Sequence, residues 1–346
     1  GRLRLRDRSV TASDRLTATL ASRTHGSRIR GARPSSVTPK RTPPRRPTVN
    51  EDSTSADDRS ELFALVGNEL RMQIIERLGD LRVEAGVQPT LSYAELRSRA
   101  APDVTSSQFN YHLQKLCGSF VERVDEGYRM RVEGRLVYQA IRSGTFARAT
   151  PESAHGLDTD CYYCGGEMEL QFEDSVARVW CRECEELYDI MGVPPVVTDE
   201  ESDAVERFAD YSRSKRLSFA RGSCPTCGNA VARELTSPPE LPYRGTNRDE
   251  WMAYCSCTHC GDQLYLTVGE LLLAEPAVIA FYHAHGRDLF EIPAWALEWA
   301  ATDRRLTVDD TDTRTFVVEV DLEDDRLTVE LDADLDVTGT ERTSLG

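Results

Sequence analysis

Lysine is nearly absent from this 346-residue chain: only Lys40, Lys115 and Lys215 occur. Together, 42 Lys and Arg face 58 Asp and Glu, a formal net charge of -16. Bulk charge therefore gives no attraction to a polyanion, and any grip on nucleic acid must come from a local surface. No run of 18 apolar residues is present, so no membrane span is expected. The first residues are Arg-rich and lack an apolar stretch of the secretory kind, so the expectation is a cytoplasmic protein. Catalytic signatures are missing too. There is no P-loop, no GxGxxG after a strand, no HExxH and no GxSxG elbow, and an enzyme is not expected. His283 and His285 in "FYHAHG" are two apart, so a helix would not place both on one face. They read as packing or surface residues. Trp295 and Trp299, spaced i, i+4, read as a core stripe.

The charge that is present is unevenly spread. Residues 1–50 carry 13 Lys and Arg against 2 Asp and Glu, whereas the remainder carries 29 against 56, a net of -27. Residues 1–57 are rich in Arg, Ser, Thr and Pro without apolar period, and are expected to be a disordered basic tail. The acidic, lysine-poor remainder resembles the surfaces of extremely halophilic proteins. In molar salt the Debye length is about 3 Å, so distant carboxylates scarcely act on a bound phosphate.

From residue 58 the periodicity becomes regular. "RSELFALVGNELRMQIIERLGD" places Leu62, Phe63, Val66, Leu70, Ile74 and Leu78 on one helical stripe. Ser92 reads as the N-cap of "YAELRSRA", and Thr105 or Ser106 as that of a third helix over about 107–117. "FVERV-DEG-YRMR" reads as a hairpin around Asp125-Glu126-Gly127, and "VEGRLVYQAIRSG" as a further helix. Three helices, a hairpin and a helix is the order of a winged helix-turn-helix, expected over 58–146.

The third helix of that unit has two unlike faces. At 100° per residue Phe109, Leu113, Leu116 and Cys117 share one side and should be core. Ser107, Tyr111 and Lys115 lie opposite, flanked by Gln108 and Gln114. No Asp or Glu occurs from 105 to 121. In so acidic a chain a merely solvated helix should carry some, so this face is a candidate to donate hydrogen bonds to bases and phosphates of double-stranded DNA. Arg129, with Arg123 and Arg131, is a candidate contact from the hairpin. Asn110 and His112 fall nearer the buried edge, where a structural hydrogen bond and a base contact both stay open. Cys117 reads as a small buried residue.

Eight of the ten cysteines form four CxxC pairs. Cys161 and Cys164 precede Cys181 and Cys184 by 16 residues, and Cys224 and Cys227 precede Cys257 and Cys260 by 29. Two such pairs from two hairpins supply four thiolates to a tetrahedral ion, which predicts two structural zinc ions with no open coordination position. Gly165, Gly228 and Gly261 follow the second cysteine of three pairs, where a left-handed turn is needed. Glu185 takes that place in the fourth. Cys255 competes with Cys257 in "CSCTHC", but the spacing favours Cys257. Cys255 then becomes a strand residue, with a redox-sensitive thiol the lesser reading.

The ribbons are expected over 157–193 and 221–267, joined by an acidic amphipathic helix within 194–220. Residues 268–286 should be helical, with Pro276 as a break or a new first-turn residue. "RTFVVEVDLEDDRLTVELDADLDV" predicts a hairpin turning at Asp324-Asp325, and the last few residues are expected to be loose. The fold expected is thus α+β: a winged helix-turn-helix, two zinc-ribbon-like modules, and a C-terminal helix plus β-hairpin over 268–346.

"LFALVGNELRMQIIERL", "SYAELRSRA", "SSQFNYHLQKL" and "FVERVDEGYRM" together resemble winged-helix regulators of the arsenical-resistance-repressor (ArsR) type, and more closely the haloarchaeal members with a cysteine-rich C-terminal region. The resemblance covers residues 60–143. It implies a transcriptional regulator that reads a two-fold operator as a homodimer. The hairpin tip, Asp125-Glu126, departs from the basic tip that would favour phosphate. The metal-sensing cysteines of that family are not visible on the third helix. A winged helix followed by a zinc ribbon also resembles archaeal transcription factor E, which implies a basal adaptor contacting the transcription machinery. A third reading is an interaction scaffold that has lost its DNA contact.

Overall fold

The computed structural model describes residues 56–145, 152–193, 203–236, 251–311 and 314–346. The basic segment up to residue 55 lies outside the described residues. The first helix begins at Ala56, two residues before the end expected for that segment. No helix among the described residues is long and apolar enough to cross a membrane.

The molecule is mixed α+β, and its described residues pack into two separate cores. The first is built by α1 (Ala56–Val66), α2 (Glu69–Ala85), α3 (Tyr93–Ala100), α4 (Ser106–Leu116), the hairpin β1 (Val121–Val124) and β2 (Gly127–Met130), and α5 (Val132–Arg142). The single stripe expected over residues 59–80 is two helices. Gly67 and Asn68 separate them, and Asn68 caps α2 by accepting from the Arg71 N–H. Its side chain satisfies a donor at a helix start, which continuing α1 would forgo. The break turns the α1 end of the stripe outward: Phe63 is 72% exposed, whereas Ile74 and Leu78 are fully buried. Ser92 caps α3 as expected, in a reciprocal capping box with Glu95. Thr105, rather than Ser106, caps α4. Phe109, Leu113 and Leu116 are fully buried against Ile74, Leu78 and Leu96. Leu91 pairs with Tyr128, adding a third strand position to the hairpin. A Cβ at Gly127 would lie 2.1 Å from the Leu91 carbonyl oxygen, so this pairing requires glycine there.

The second core runs from Cys161 to Leu335. Three antiparallel sheets contribute to it. The first has the order β3 (Ser153–Asp160), β4 (Glu167–Glu173), β5 (Val176–Cys181) and β6 (Leu187–Gly192). The second is β7 (Val231–Thr236), β8 (Met252–Cys257) and β9 (Gln263–Thr267). The third is a meander of β10 (Leu306–Asp309), β11 (Thr315–Leu322), β12 (Asp325–Leu331) and β13 (Val337–Ser344). The expected C-terminal hairpin is therefore only the centre of four strands. Its turn lies one residue earlier than expected, since Leu322 pairs with Asp325. The last few residues, expected to be loose, include the end of β13, where Thr343 and Ser344 pair with Arg326 and Asp325 of β12.

The joining helix, α6 (Ala204–Ala220), is more than a linker. Val205, Phe208, Ala209 and Phe219 are buried in the second core. Phe208 stacks on Trp295 at 5.7 Å and meets Phe172 edge-on at 6.1 Å, so one aromatic column joins the first sheet, α6 and the C-terminal segment. Residues 268–286 form α7 (Val268–Leu271), a 3-10 turn and α8 (Pro276–Ala284), with Pro276 in the first turn. Trp295 and Trp299 are core residues as expected, but not on one helix. Trp295 sits in a 3-10 turn, and Trp299 in the short α9 (Glu298–Ala301), where its Nε1 donates to Tyr282 Oη at 2.8 Å. His283 is exposed. His285 is largely buried and its Nε2 lies 3.2 Å from Asp325 Oδ2.

Candidate functional site

The four CxxC pairs fold into four turns of one design. In each, the residue after the second cysteine donates its N–H to the carbonyl of the first: Gly165 to Cys161, Glu185 to Cys181, Gly228 to Cys224 and Gly261 to Cys257, over 2.8–3.2 Å. In each, the first cysteine's N–H closes the loop onto the residue five positions on: Gly166, Glu186, Asn229 and Asp262. The donor that follows the second cysteine must be left-handed. The three glycines have φ of 74°, 73° and 79°, and Glu185 takes the same turn at 59°. The spacing thus outweighs the usual penalty for a side chain in this region, about 1–2 kcal/mol.

These turns gather the sulfurs. Cys161, Cys164, Cys181 and Cys184 form one set, and Cys224, Cys227, Cys257 and Cys260 the other, with all Sγ atoms of a set within 4.8 Å of one another. Cys161–Cys184 and Cys224–Cys260 are 3.6 Å apart, and Cys164–Cys181 and Cys227–Cys257 are 3.5 Å. A tetrahedral ion with ~2.3 Å metal–sulfur bonds requires sulfurs about 3.8 Å apart. A disulfide would require about 2.05 Å, and all ten cysteines are free. The donor set therefore fits a tetrathiolate-bound metal.

Backbone N–H groups are aimed at the sulfurs. Tyr163 donates to Cys161, Gly166 to Cys164, Glu183 to Cys181 and His259 to Cys257, each at 3.4 Å. Such bonds favour the thiolate. The N–H groups of Cys260 and His259 bring the Cys257 thiol down to about 6. Burial pushes Cys161 up, but the Tyr188 hydroxyl at 3.2 Å and the N–H groups of Cys164 and Tyr163 outweigh it and bring it down to about 7. Their neighbours go the other way. Burial and the adjacent sulfurs push Cys184 up to about 12. The Asp262 N–H draws Cys260 down, but burial and the sulfurs prevail and push it up to about 12 as well. Four thiolates packed this closely repel, and a divalent cation is what allows all four protons to leave. Tyr188 was not visible as a partner in the sequence, since an aromatic after a CxxC pair carries no distinctive spacing.

Cys255 stands apart. It is a fully buried β8 residue paired with Arg233 and Leu264, and it joins neither sulfur set. Burial pushes its thiol up to about 11, far from a reactive thiolate. Cys255→Ser should retain the full metal content, whereas Cys257→Ser should lose one ion per chain. Elemental analysis of the two purified variants checks this, and metal loss on the Cys255 change would reverse the ligand assignment.

The α4 face is the other candidate site. Ser107, Gln108, Tyr111, Gln114 and Lys115 are all exposed. Lys115 Nζ lies 5.8 Å from the Tyr111 ring centre, so the two present one continuous surface. Asn110 is exposed too, further out than its place on the helical wheel suggested. His112 is half-buried, with Nδ1 3.4 Å from Arg71 Nη1, and burial lowers its pKa from the usual imidazole value. Arg129 is held by Glu122 across the hairpin at 2.6 Å, and Arg131 by Glu133 at 3.2 Å. Arg123 is exposed and has no ion pair among the described residues. A charge pattern read along one strand could not show which arginine its cross-strand neighbour would engage.

Two family models match the chain. Residues 158–337, just over half of it, match the domain of unknown function DUF7351. The chain belongs to the DUF7351 family. Residues 59–141 match a second model, the domain of unknown function DUF7347. No curated protein and no solved structure matches. The DUF7351 match spans both sulfur sets and the strands from β4 to β12, and the DUF7347 match covers α2 to β2, including the α4 face.

At the centre of the DUF7351 region lies a buried ionic cluster that the sequence did not announce. Arg216 of α6 donates from Nη2 to Asp189 Oδ1 of β6 at 2.8 Å and from Nε to Glu270 Oε1 of α7 at 2.7 Å. Its Nη1 reaches Ser212 Oγ at 2.5 Å, and Ser212 donates to Asp189 Oδ2 at 2.7 Å. Glu270 also accepts the Thr267 N–H at 3.0 Å. All four side chains are buried. Asp189 follows the first sulfur set and Glu270 follows the second, so one guanidinium on α6 joins β6 of the first sheet to α7, the helix that follows the second.

Proposed function

We propose that this chain is a sequence-specific DNA-binding regulator. Residues 56–142 act as a winged helix whose α4 enters the major groove, and the DUF7351 region is a half held together by two structural zinc ions. The observation that carries this reading is the exposed side of α4. In a chain of net charge -16, its outward residues are all neutral or positive, and no carboxylate occurs from 105 to 121. The Leu91–Tyr128 pairing supports the winged-helix reading, since it gives the hairpin the third strand position a wing uses. Ser107 and the α4 start lie at the positive end of the helix, where phosphate is favoured. Gln108, Tyr111, Gln114 and Lys115 are placed for base edges. Because Glu122 occupies Arg129, Arg123 is the better candidate for a phosphate contact from the hairpin. The four-thiolate sets leave no coordination position for substrate, so both ions act in folding and not in catalysis.

DNase footprinting with Lys115→Glu tests the reading. The change should leave the fold intact and weaken operator protection by about tenfold or more, since a good base-edge contact is worth ~1–3 kcal/mol and the new charge repels phosphate. The experiment belongs in molar potassium chloride, where a Debye length of about 3 Å screens the acidic remainder. Equal protection by the variant would remove α4 as the reading face.

A further inference from the structure

A cleft of about 330 Å³ opens beside α6, away from the Arg216 cluster. Leu217, Ala274, Ile279 and Phe290 form its apolar wall. Ser214, Ser218, Ser223 and Arg221 form the polar side. Ser214, Leu217, Ser218 and Arg221 are spaced i, i+3, i+4 and i+7, which places them on one stripe of α6 and its C-cap. The opposite wall comes from the 3-10 turn before Pro276, from α8 and from the turn at Leu289–Glu291.

The polar side is unspent. Among the described residues none of the three serine hydroxyls has a hydrogen-bond partner, and Arg221 has no ion pair. Most described arginines of this half, such as Arg178, Arg213, Arg216, Arg305 and Arg326, meet carboxylates, whereas Arg221 and Arg287 do not. A guanidinium without a carboxylate in so acidic a chain, beside three uncommitted hydroxyls and an aliphatic and aromatic wall, is complementary to an anionic head on an apolar body. A cleft near 300 Å³ is at the small end of ligand sites. At ~30 Å³ per water-sized group it admits about ten non-hydrogen atoms.

We infer that this cleft binds a small amphipathic anion, an alkyl carboxylate or alkyl phosphate of about that size, with its head on Arg221 and the serines and its chain against Leu217, Ile279 and Phe290. The site is separate from both sulfur sets and from α4, and its occupancy does not depend on the DNA-binding reading. Ser223 immediately precedes Cys224, so a bound ligand would touch the residue next to the second sulfur set.

Isothermal titration of the full chain without DNA tests this, at a salt concentration where circular dichroism finds it folded. Octanoate and octyl phosphate are the two anionic probes, and 1-octanol is the uncharged one. Binding of one octanoate or one octyl phosphate per chain is expected, with octanol at least tenfold weaker. Arg221→Gln should weaken the anion by about tenfold or more, as loss of a charged hydrogen bond does. Ser218→Asp should abolish binding by placing a like charge at the head position. Arg221 is exposed and Ser218 half-buried at the cleft, and unchanged melting curves establish that the variants fold. Failure of both anions to bind, or binding that survives both substitutions, overturns the assignment.

Discussion

Stripping both ions from the folded chain is expected to collapse the whole DUF7351 region while the helical unit before it stays folded. Each ion would cross-link two turns distant in sequence, and in isolated zinc-finger peptides such a structural site contributes about 10–16 kcal/mol of apparent binding free energy. The damage should not stop at the cysteine-bearing turns. Leu170, Phe172 and Val179 of the first cysteine-bearing sheet share a core with Phe208 and Trp295, and Phe172 touches Phe208, which stacks on Trp295. Removing one ion by Cys181→Ser should therefore leave one metal per chain and also shift tryptophan fluorescence. Residues 56–142 have a separate core and should keep their helical circular dichroism. Native-like fluorescence and full thermal stability in a chain shown to be metal-free would contradict this.

Arg216→Met should destabilise the same region by about 3–5 kcal/mol, the usual cost of removing one partner of a buried ion pair. Methionine fills much of the arginine's volume, so the loss is mainly electrostatic: two buried carboxylates remain without their cation. The pH dependence gives a second handle. Burial already pushes the Glu270 carboxyl above the usual carboxylate range, with Arg216 pulling it back. A carboxyl raised on folding stabilises the native state at low pH, and that contribution is lost as pH rises through its folded value. Without Arg216 the carboxyl should rise further, so the variant's deficit should be largest at neutral pH and above and shrink on acidification. Adding Glu270→Gln to Arg216→Met should recover part of the loss at neutral pH. Urea denaturation at two pH values measures all of this. A loss below about 1 kcal/mol, or one independent of pH, would mean the cluster is not a central tie.

These two features differ in how far the sequence disclosed them. The sulfur sets were legible because a knuckle is local: CxxC and the glycine after it are fixed by a turn of a few residues. The sequence also separated Cys255 from Cys257 by spacing alone. The two faces of α4 were legible because a helix converts spacing directly into direction. The Arg216 cluster was not, because its partners lie 27 and 54 residues away. In "SRSKRLS" nothing separates a buried guanidinium from the solvated charges beside it. The break at Gly67-Asn68 was hidden because apolar spacing continues across it, and only the Asn68 cap distinguishes two helices from one. β13 was missed for the opposite reason. "VTGTERTS" is almost wholly exposed and shows no alternation, so it is a strand because β12 offers it an edge.

The proposed regulator rests on what α4 reads, and genome-wide occupancy of the intact protein in living cells tests that most directly. A small number of discrete sites sharing one sequence, lost on Lys115→Glu with the protein still folded and metal-loaded, is the expected result. Occupancy at most active promoters without a common sequence would instead favour a basal adaptor, and no enrichment anywhere would contradict DNA binding altogether.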